Sequence, residues 1–319
     1  MTLRLTVQKH AWQRQLAAGA ACRPGLIPVV KGNGYGFGRK TLMPIAAQLS
    51  DHIAVGTVYE ASDVPTGRVA VVLTPHLGAL PKDLPPTALL TVATHQHVAA
   101  LAQGGWSGGV VLKLRSSMRR YGVSPENLAS LSRAIGAAGF AVNSFGIHFP
   151  LSGTSADHLA EIEQWLPHLD SALPIAVSHL GPDAYAELRQ RHPDRLFNLR
   201  CGTALWHADR STLQLNADVV DGYEVLAGTP IGYHATLAPA DGRIVLVAVG
   251  SSHGIQALAD GRSPFHFNRT RLAMLEPAHM HTSMLFVATG QPCPQPGDLV
   301  DVQRPLILSN VDELQWVDD

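Results

Sequence analysis

The sequence predicts an α/β chain, a (β/α)8 barrel followed by a smaller all-β domain. Three observations carry that prediction. The chain has 319 residues, enough for two domains at about 150 residues each. Its first part repeats short apolar runs with helical patterns between them. Beyond about Trp206 the apolar runs continue, but Gly/Pro turns replace the helices. With 46% hydrophobic and 15% charged residues, the chain can bury a sizeable core.

Eight runs read as barrel strands. They are LIPVVK (26–31), HIAVGTV (52–58), VAVVLTP (69–75), ALLTVAT (88–94), GVVLKLR (109–115), FGIHF (145–149), PIAVSH (174–179) and LFNLRCG (196–202). They are continuously apolar rather than alternating, the pattern of strands buried on both faces of a parallel sheet. Helical patterns lie between them at TLMPIAAQL, HQHVAALAQ, 125–138, SADHLAEIEQWL and PDAYAELRQRH. Ser124 before Pro125, and Thr154 and Ser155 before Ala156, offer hydroxyls to backbone N–H groups that lack a partner at a helix start. A doubly wound eight-stranded sheet is the competing arrangement, but no G-x-G-x-x-G follows the first strand. The barrel is placed at 1–210, with an opening strand at 1–8 free to pair with the second domain. HADRSTLQ (207–214) is polar and suits the join. The second domain, 211–319, reads as strands at VVDGYEVLAG, RIVLVAVG, SMLFVATG, GDLVDV and RPLIL.

Composition excludes several partners. Lys+Arg (24) and Asp+Glu (25) nearly cancel to a net charge of −1, and no basic run is present. Neither nucleic acid nor an acidic membrane is expected as a partner. No apolar segment reaches the ~18 residues of a membrane span, and the opening MTLRLTVQKHAWQRQ lacks the apolar core of a signal peptide. Cys22, Cys201 and Cys293 are far apart, with no C-x-x-C, which fits a reducing cytoplasm and argues against a disulfide framework or a zinc ribbon. The unusual figure is sixteen histidines, several of them at the ends of apolar runs.

Barrels of this kind carry their chemistry at the C-terminal ends of the strands. Those ends hold Lys31, Arg115 to Arg120, His148, His179 and Arg200 to Gly202, with Lys113 just inside its own strand. Cations and imidazoles with few carboxylates suit an anionic ligand bearing phosphate or carboxylate. A lysine ending an apolar strand is partly desolvated, which lowers its pKa and suits Schiff-base chemistry. Lys31 is followed by glycines at 32, 34, 36 and 38, which allow close backbone approach to a ligand, and by Tyr35 as a phosphate donor.

The stretch VVKGNGYGFG resembles the cofactor-lysine motif of the alanine racemase family, whose members join a barrel to a β domain and use pyridoxal 5'-phosphate (PLP). Further matches follow in chain order. LKLRSSMRRYG is similar to the segment with an arginine near the cofactor phenolate and the substrate carboxylate, which puts that role on Arg120. Lys113 matches a lysine that in some members is carbamylated and orients that arginine. GIHF and VSHL match two histidine positions, His148 stacking on the cofactor ring and His179 partnering Arg200. FNLRCGTALW is similar to the segment whose arginine faces the pyridine nitrogen, here Arg200, with Gly202 and Thr203 beside the phosphate. A charged arginine there leaves the pyridine nitrogen unprotonated, which favours proton shuttling at Cα over deeper carbanion chemistry.

Four departures from the family pattern bear on the reaction. The resemblance implies a second base, a tyrosine in a G-Y-x-D-G-like segment of the partner subunit. The corresponding VAVGSSHGIQ puts Ser251 at the tyrosine and His253 at the aspartate. A serine hydroxyl is too weak an acid for that task, whereas an imidazole is the side chain suited to proton transfer near neutral pH, which makes His253 the candidate to replace it. Asp183 stands where the family has a phosphate-binding serine, and a carboxylate repels phosphate. In the β domain, His279-Met280-His281 replaces an S-M-D-like element; Met280 keeps the place of a methionine near the substrate carboxylate. On a strand, His279 and His281 would share a face, as a metal pair in related lyases does. The chain ends at NVDELQWVDD, short of the family's usual C-terminus, so the tyrosine of that tail is expected to be missing.

The sequence thus predicts a cytoplasmic PLP-dependent amino-acid racemase or epimerase, working as a head-to-tail homodimer on a small amino acid. Lys31 holds the cofactor as an aldimine and, with His253, moves protons. Tyr35, Arg120, His148, His179, Arg200, Gly202 and Thr203 complete the cofactor site. Arg120 and Met280 meet the substrate, and no metal is assigned. The alternatives are a PLP-dependent lyase of aldolase or dehydratase type, metal-assisted through His279 and His281, and a PLP-binding protein impaired in turnover.

Overall fold

The computed structural model describes residues 3–318. Two compact units are present. One comprises Leu16–Gly32 and Arg39–Ala208, and the other Met1–Gln15, Asn33–Gly38 and Asp209–Asp319. The division therefore differs from a simple cut at 210, because the opening segment and the hexapeptide Asn33–Gly38 group with the β-rich unit. Strand β1 (Leu3–Gln8) opens the chain and α1 (Lys9–Ala21) follows it.

The first unit is a closed barrel. Its strands are β2 (Leu26–Pro28), β3 (His52–Val55), β4 (Val69–Val72), β5 (Leu89–Val92), β6 (Val110–Lys113), β7 (Val142–Gly146), β8 (Ile175–Ser178) and β9 (Phe197–Cys201). They hydrogen-bond in the order β2-β9-β8-β7-β6-β5-β4-β3, parallel throughout. A parallel bridge between Val29 and Ala54, with Val30 N–H donating to Ala54 O at 2.8 Å, closes the ring between β2 and β3. Strands β5, β6 and β8 are buried at every position, which is why their sequences do not alternate. All eight runs read as strands in the sequence form strands here. The run FGIHF is displaced, however: β7 begins at Val142, where polar Asn143 and Ser144 mask it, and ends before His148.

Five long helices occupy crossovers: α2 (Arg39–Leu49), α3 (His95–Gln103), α4 (Pro125–Ala137), α5 (Ser155–Trp165) and α6 (Pro182–Arg191). The short α7 (Thr203–Trp206) follows β9. Thr154 caps α5 reciprocally: its hydroxyl accepts Asp157 N–H, and the Asp157 carboxylate accepts Thr154 N–H at 2.7 Å. Ser124 caps α4 differently from expectation, its hydroxyl accepting the Asn127 side-chain amide instead of backbone. Between β3 and β4 a 3-10 run, Val58–Asp63, stands in place of a full helix.

The second unit is built on β10 (Leu213–Val225). The remaining strands are β11 (Pro230–Ile231), β12 (Thr236–Leu237), β13 (Gly242–Val247), β14 (Phe265–Phe267), β15 (Thr270–Arg271), β16 (Ala273–Met274), β17 (Ser283–Ala288), β18 (Leu299–Val302) and β19 (Glu313–Val317). Sheet order is β15-β14-β18-β10-β13-β17-β16, with β1 antiparallel to β10 and parallel to β19. A bulge between Val219 and Asp221 lets β10 bend from one set of partners to the next. Val225, Ile231, Ala238, Ile244, Met284 and Phe286 pack as a core. RPLIL is not a strand. Pro305 cannot donate to a ladder, and the chain turns through Leu306–Leu308, with Leu308 N–H returning to Pro305 O at 2.9 Å. No helix among the described residues is long and apolar enough to cross a membrane.

Candidate active site

The barrel rim gathers the cations marked in the sequence. Lys31 extends from the β2 segment, beyond buried Val29 and Val30. Desolvation lowers its ammonium pKa, the nearby Arg120 lowers it further, and Glu60 pulls the other way. Trp206 in α7 donates its indole N–H to Val29 O at 2.8 Å and so fixes the strand end next to Lys31. Gly202 and Thr203 stand at the start of α7.

Two further cations lie inside the barrel. Lys113, at the end of β6, is 4% exposed and has no carboxylate partner among the described residues. Burial first, then Arg200 and Arg120, hold its pKa well below the lysine range. Arg200, in β9, is 7% exposed and donates from Nη2 to Ile147 O. Its Nε–H is buried without a partner. Both side chains pass Gly146, where a Cβ would lie in ordinary contact with them, 3.7 Å from Arg200 Nη1 and 3.9 Å from Lys113 Cδ. Burial lowers the Arg200 pKa to about 10, so the guanidinium stays charged at neutral pH.

Both rim histidines are neutral near pH 7. His148 follows β7, and its Nδ1 bonds the Ser178 hydroxyl at 2.7 Å. Burial, reinforced by Arg200 and Lys113, pushes its pKa down to about 2. His179 has a left-handed backbone (φ 57) and bonds Phe149 O through Nδ1 at 2.8 Å. Burial lowers its pKa too, against the pull of the Phe149 and Pro150 carbonyls. The two rings lie 4.6 Å apart, centroid to centroid. Arg120 is exposed and sits over the Tyr121 ring, 4.8 Å from its centroid.

Sequence reasoning missed Ser178 and Glu60. Ser178 carries a weak signal, a polar residue at the end of the apolar run that His179 closes. Glu60 lies in a crossover with no motif around it, and no pattern in the chain marks it.

The other sequence candidates belong to the β-rich unit. Tyr35 is buried, with φ 57, inside the Asn33–Gly38 segment. His253 is buried in a 3-10 turn; its Nδ1 accepts Gly250 N–H at 3.1 Å, and its Nε2 meets Asp312 at 3.1 Å. Met280 is exposed. His279 and His281 lie in the bend before β17, not on a strand, and they turn to different partners. His279 Nε2 bonds the buried Glu276 carboxylate, and His281 Nδ1 bonds the Ser252 hydroxyl at 3.0 Å. A shared strand face for the pair is therefore corrected. No cluster of three or more potential metal ligands occurs among the described residues. Asp183 is exposed in the first turn of α6.

Comparison with known proteins agrees with this geometry. The family model for the alanine racemase N-terminal domain matches residues 8–209. Alanine racemase 3 of Salmonella typhi is 27% identical over 257 residues, which span 71% of this chain and 67% of that protein. The crystal structure of alanine racemase from Bartonella henselae with covalently bound pyridoxal phosphate superposes with a TM-score of 0.73 at 18% identity, covering 99% of this chain and 100% of that one. Biosynthetic alanine racemase from Pseudomonas aeruginosa gives 0.73 at 20% identity, covering 99% of each chain. With the family model matching well over half of its length, and with a closed parallel barrel and a β-rich unit, the chain belongs to the alanine racemase family.

Proposed function

We propose that this protein is a PLP-dependent amino-acid racemase or epimerase of the alanine racemase type, with an altered second base. One observation carries the reading: a partly desolvated lysine, Lys31, shares a cation-rich rim with a buried guanidinium whose Nε–H has no partner. A buried donor of that kind suits an acceptor that the protein itself does not supply, such as a ring nitrogen. Lys31, Lys113, Arg120 and Arg200 suit the negative charge of a phosphate-bearing group. The residues present therefore fit PLP. When bound, PLP supplies a conjugated ring that acidifies the Cα–H of an amino acid.

The protein's own groups divide the remaining work. Lys31 would hold the cofactor; its neutral amine takes a proton from Cα on one face, and the ammonium so formed returns it. Arg120 binds the substrate carboxylate and the cofactor phenolate. Arg200 remains charged and donates toward the ring nitrogen, with His179 supporting it. His148 stays neutral and presents a flat ring steadied by Ser178. Tyr35, Gly202 and Thr203 serve the phosphate, and Met280 the substrate, on the strength of the family resemblance. The same resemblance supports a small amino acid as substrate and a head-to-tail homodimer. His253 is the candidate acid for the opposite face; to act, it has to release Asp312.

Reduction of the purified protein with borohydride, followed by peptide mass spectrometry, tests the reading. A pyridoxyl adduct on Lys31 is expected, and its absence overturns the proposal. Incubation with D- and L-amino acids in deuterated water should then give Cα deuteration with inversion. Exchange without inversion selects the second reading, a PLP-binding protein impaired in turnover, which Ser251 at the tyrosine position and the engaged nitrogens of His253 favour.

A further inference from the structure

The 3-10 run Val58–Asp63 serves one residue, the Gly32 that follows Lys31, with two carboxylates, Glu60 directly and Asp63 through Arg39. Glu60 Oε1 accepts Gly32 N–H at 3.1 Å, while its Oε2 accepts Gly56 N–H at 2.6 Å. Asp63 pairs with Arg39, and Arg39 Nη1 donates to Gly32 O at 2.7 Å. The N–H and the C=O of this residue are therefore both held, one directly and one through a guanidinium. Backbone geometry fits the clamp: Gly32 has φ +59, a left-handed conformation that glycine adopts without strain. Gly56 is required for close approach, since a Cβ there would lie 2.9 Å from Glu60 Oε2. Holding the N–H and the C=O of Gly32 restrains the two peptide units that follow Lys31, and with them the direction in which it leaves the strand.

We propose that Glu60 is the positioning residue of the barrel rim: it pins the Lys31–Gly32 turn and brings a carboxylate charge to the residue next to the Lys31 amine. The inference rests on Lys31 being the reactive amine of the proposed function. Three charged groups act on Lys31: Arg120 and Arg200 disfavour its ammonium, as burial does, and Glu60 favours it. An amine that must both accept and return a proton works best with a pKa near the ambient pH. Arg120 and Arg200 push the amine towards its neutral form, and Glu60 supplies the opposing charge.

The test reads Lys31 itself. The full chain is treated with hydroxylamine to free Lys31 from any aldehyde, then pulsed with acetic anhydride across a pH series. Mass spectrometry gives the acetylation rate at Lys31, with the exposed Lys40 and Lys82 as references. Glu60→Gln should lower the Lys31 midpoint by about one pH unit, leaving the reference lysines in place. Asp63→Asn, which loosens the same turn without touching Glu60, should leave the midpoint unshifted. Glu60→Asp keeps the charge on a shorter arm and should stay near wild type; it also keeps the proposal testable if Glu60→Gln does not fold. A Glu60→Gln midpoint equal to wild type overturns the proposal, as does an equal fall in Asp63→Asn or in Glu60→Asp. The borohydride experiment is independent of this titration. A Lys31 that titrates as described but carries no adduct rejects the cofactor reading and leaves the role of Glu60 standing.

Discussion

The two histidine-bearing regions satisfy their polar groups in opposite ways. On the barrel rim, Lys113 is buried without a carboxylate and Arg200 keeps an unpartnered Nε–H. In the β-rich unit the buried ionisable groups of the histidine loops, Glu276 and His253, have internal partners. Glu276 accepts Tyr233 N–H, His234 N–H and His279, and His253 is held between Gly250 and Asp312. The difference sets a rim that holds Lys113 and Arg200 without carboxylates apart from loops whose ionisable side chains are paired with one another. Buried charge left unpaired costs stability unless a further group meets it.

That contrast can be broken at either end. The largest effect is expected at Lys31: Lys31→Ala should abolish the borohydride-stable adduct and slow Cα–H exchange by about 10²–10⁴-fold or more, while the urea midpoint stays near wild type. Glu276→Ala comes next, because it strands two backbone donors and an imidazole. Burial works to raise the Glu276 pKa, but the bonds from His279, His234 and Tyr233 hold it below the usual range. Their loss should cost about 2–3 kcal/mol in urea unfolding, without lowering adduct formation at Lys31.

A pH experiment sharpens the rim side. The His148 pKa is about 2 in the folded protein, against 6.5 for the ordinary imidazole. The unfolded chain therefore binds a proton in the window between those values while the folded protein does not. The His148 contribution is fully present above pH 6.5 and is lost as pH falls below it, by at most about 1.4 kcal/mol per pH unit. His148→Gln should flatten that acid limb, measured by urea titration at pH 7, 6 and 5. The smallest effect is expected at His253. His253→Asn loses the bond to Asp312 and should cost about 1 kcal/mol, with deuterium exchange from the Lys31 face retained; a complete loss of exchange would place His253 in the chemistry of that face.

The barrel was legible because its strands are buried on both faces, which forces continuous apolar runs such as VAVV and IAVS. The rim was legible because Lys31, Arg200 and the two histidines close those runs. Elements held by sparse contacts were harder to read. Helix α1 buries only Trp12 and Leu16, one turn apart, so its apolar stripe is too narrow to stand out. Strand β19 closes the edge beside β1 with its residues only partly buried, and nothing in ELQWV demands that partner. Glu60 was invisible for a different reason: its partners are backbone N–H groups, which have no side-chain identity to match. The reading of His279 and His281 as a strand pair failed because spacing defines a shared face only within regular structure.

The membership of Asn33–Gly38 in the β-rich unit has a consequence for the order of events during synthesis. Asn33 Nδ2 donates to Leu306 O and to Ser309 O, each at 2.7 Å, partners 273 and 276 positions later in the chain. A single residue, Gly32, separates it from Lys31. A nascent chain can close the eight parallel strands once β9 has emerged, but the glycine-rich loop finds these two partners only after another hundred or so residues have been made. A ribosome-held intermediate would then carry a finished barrel whose glycine-rich loop still waits for its two bonds to the end of the chain.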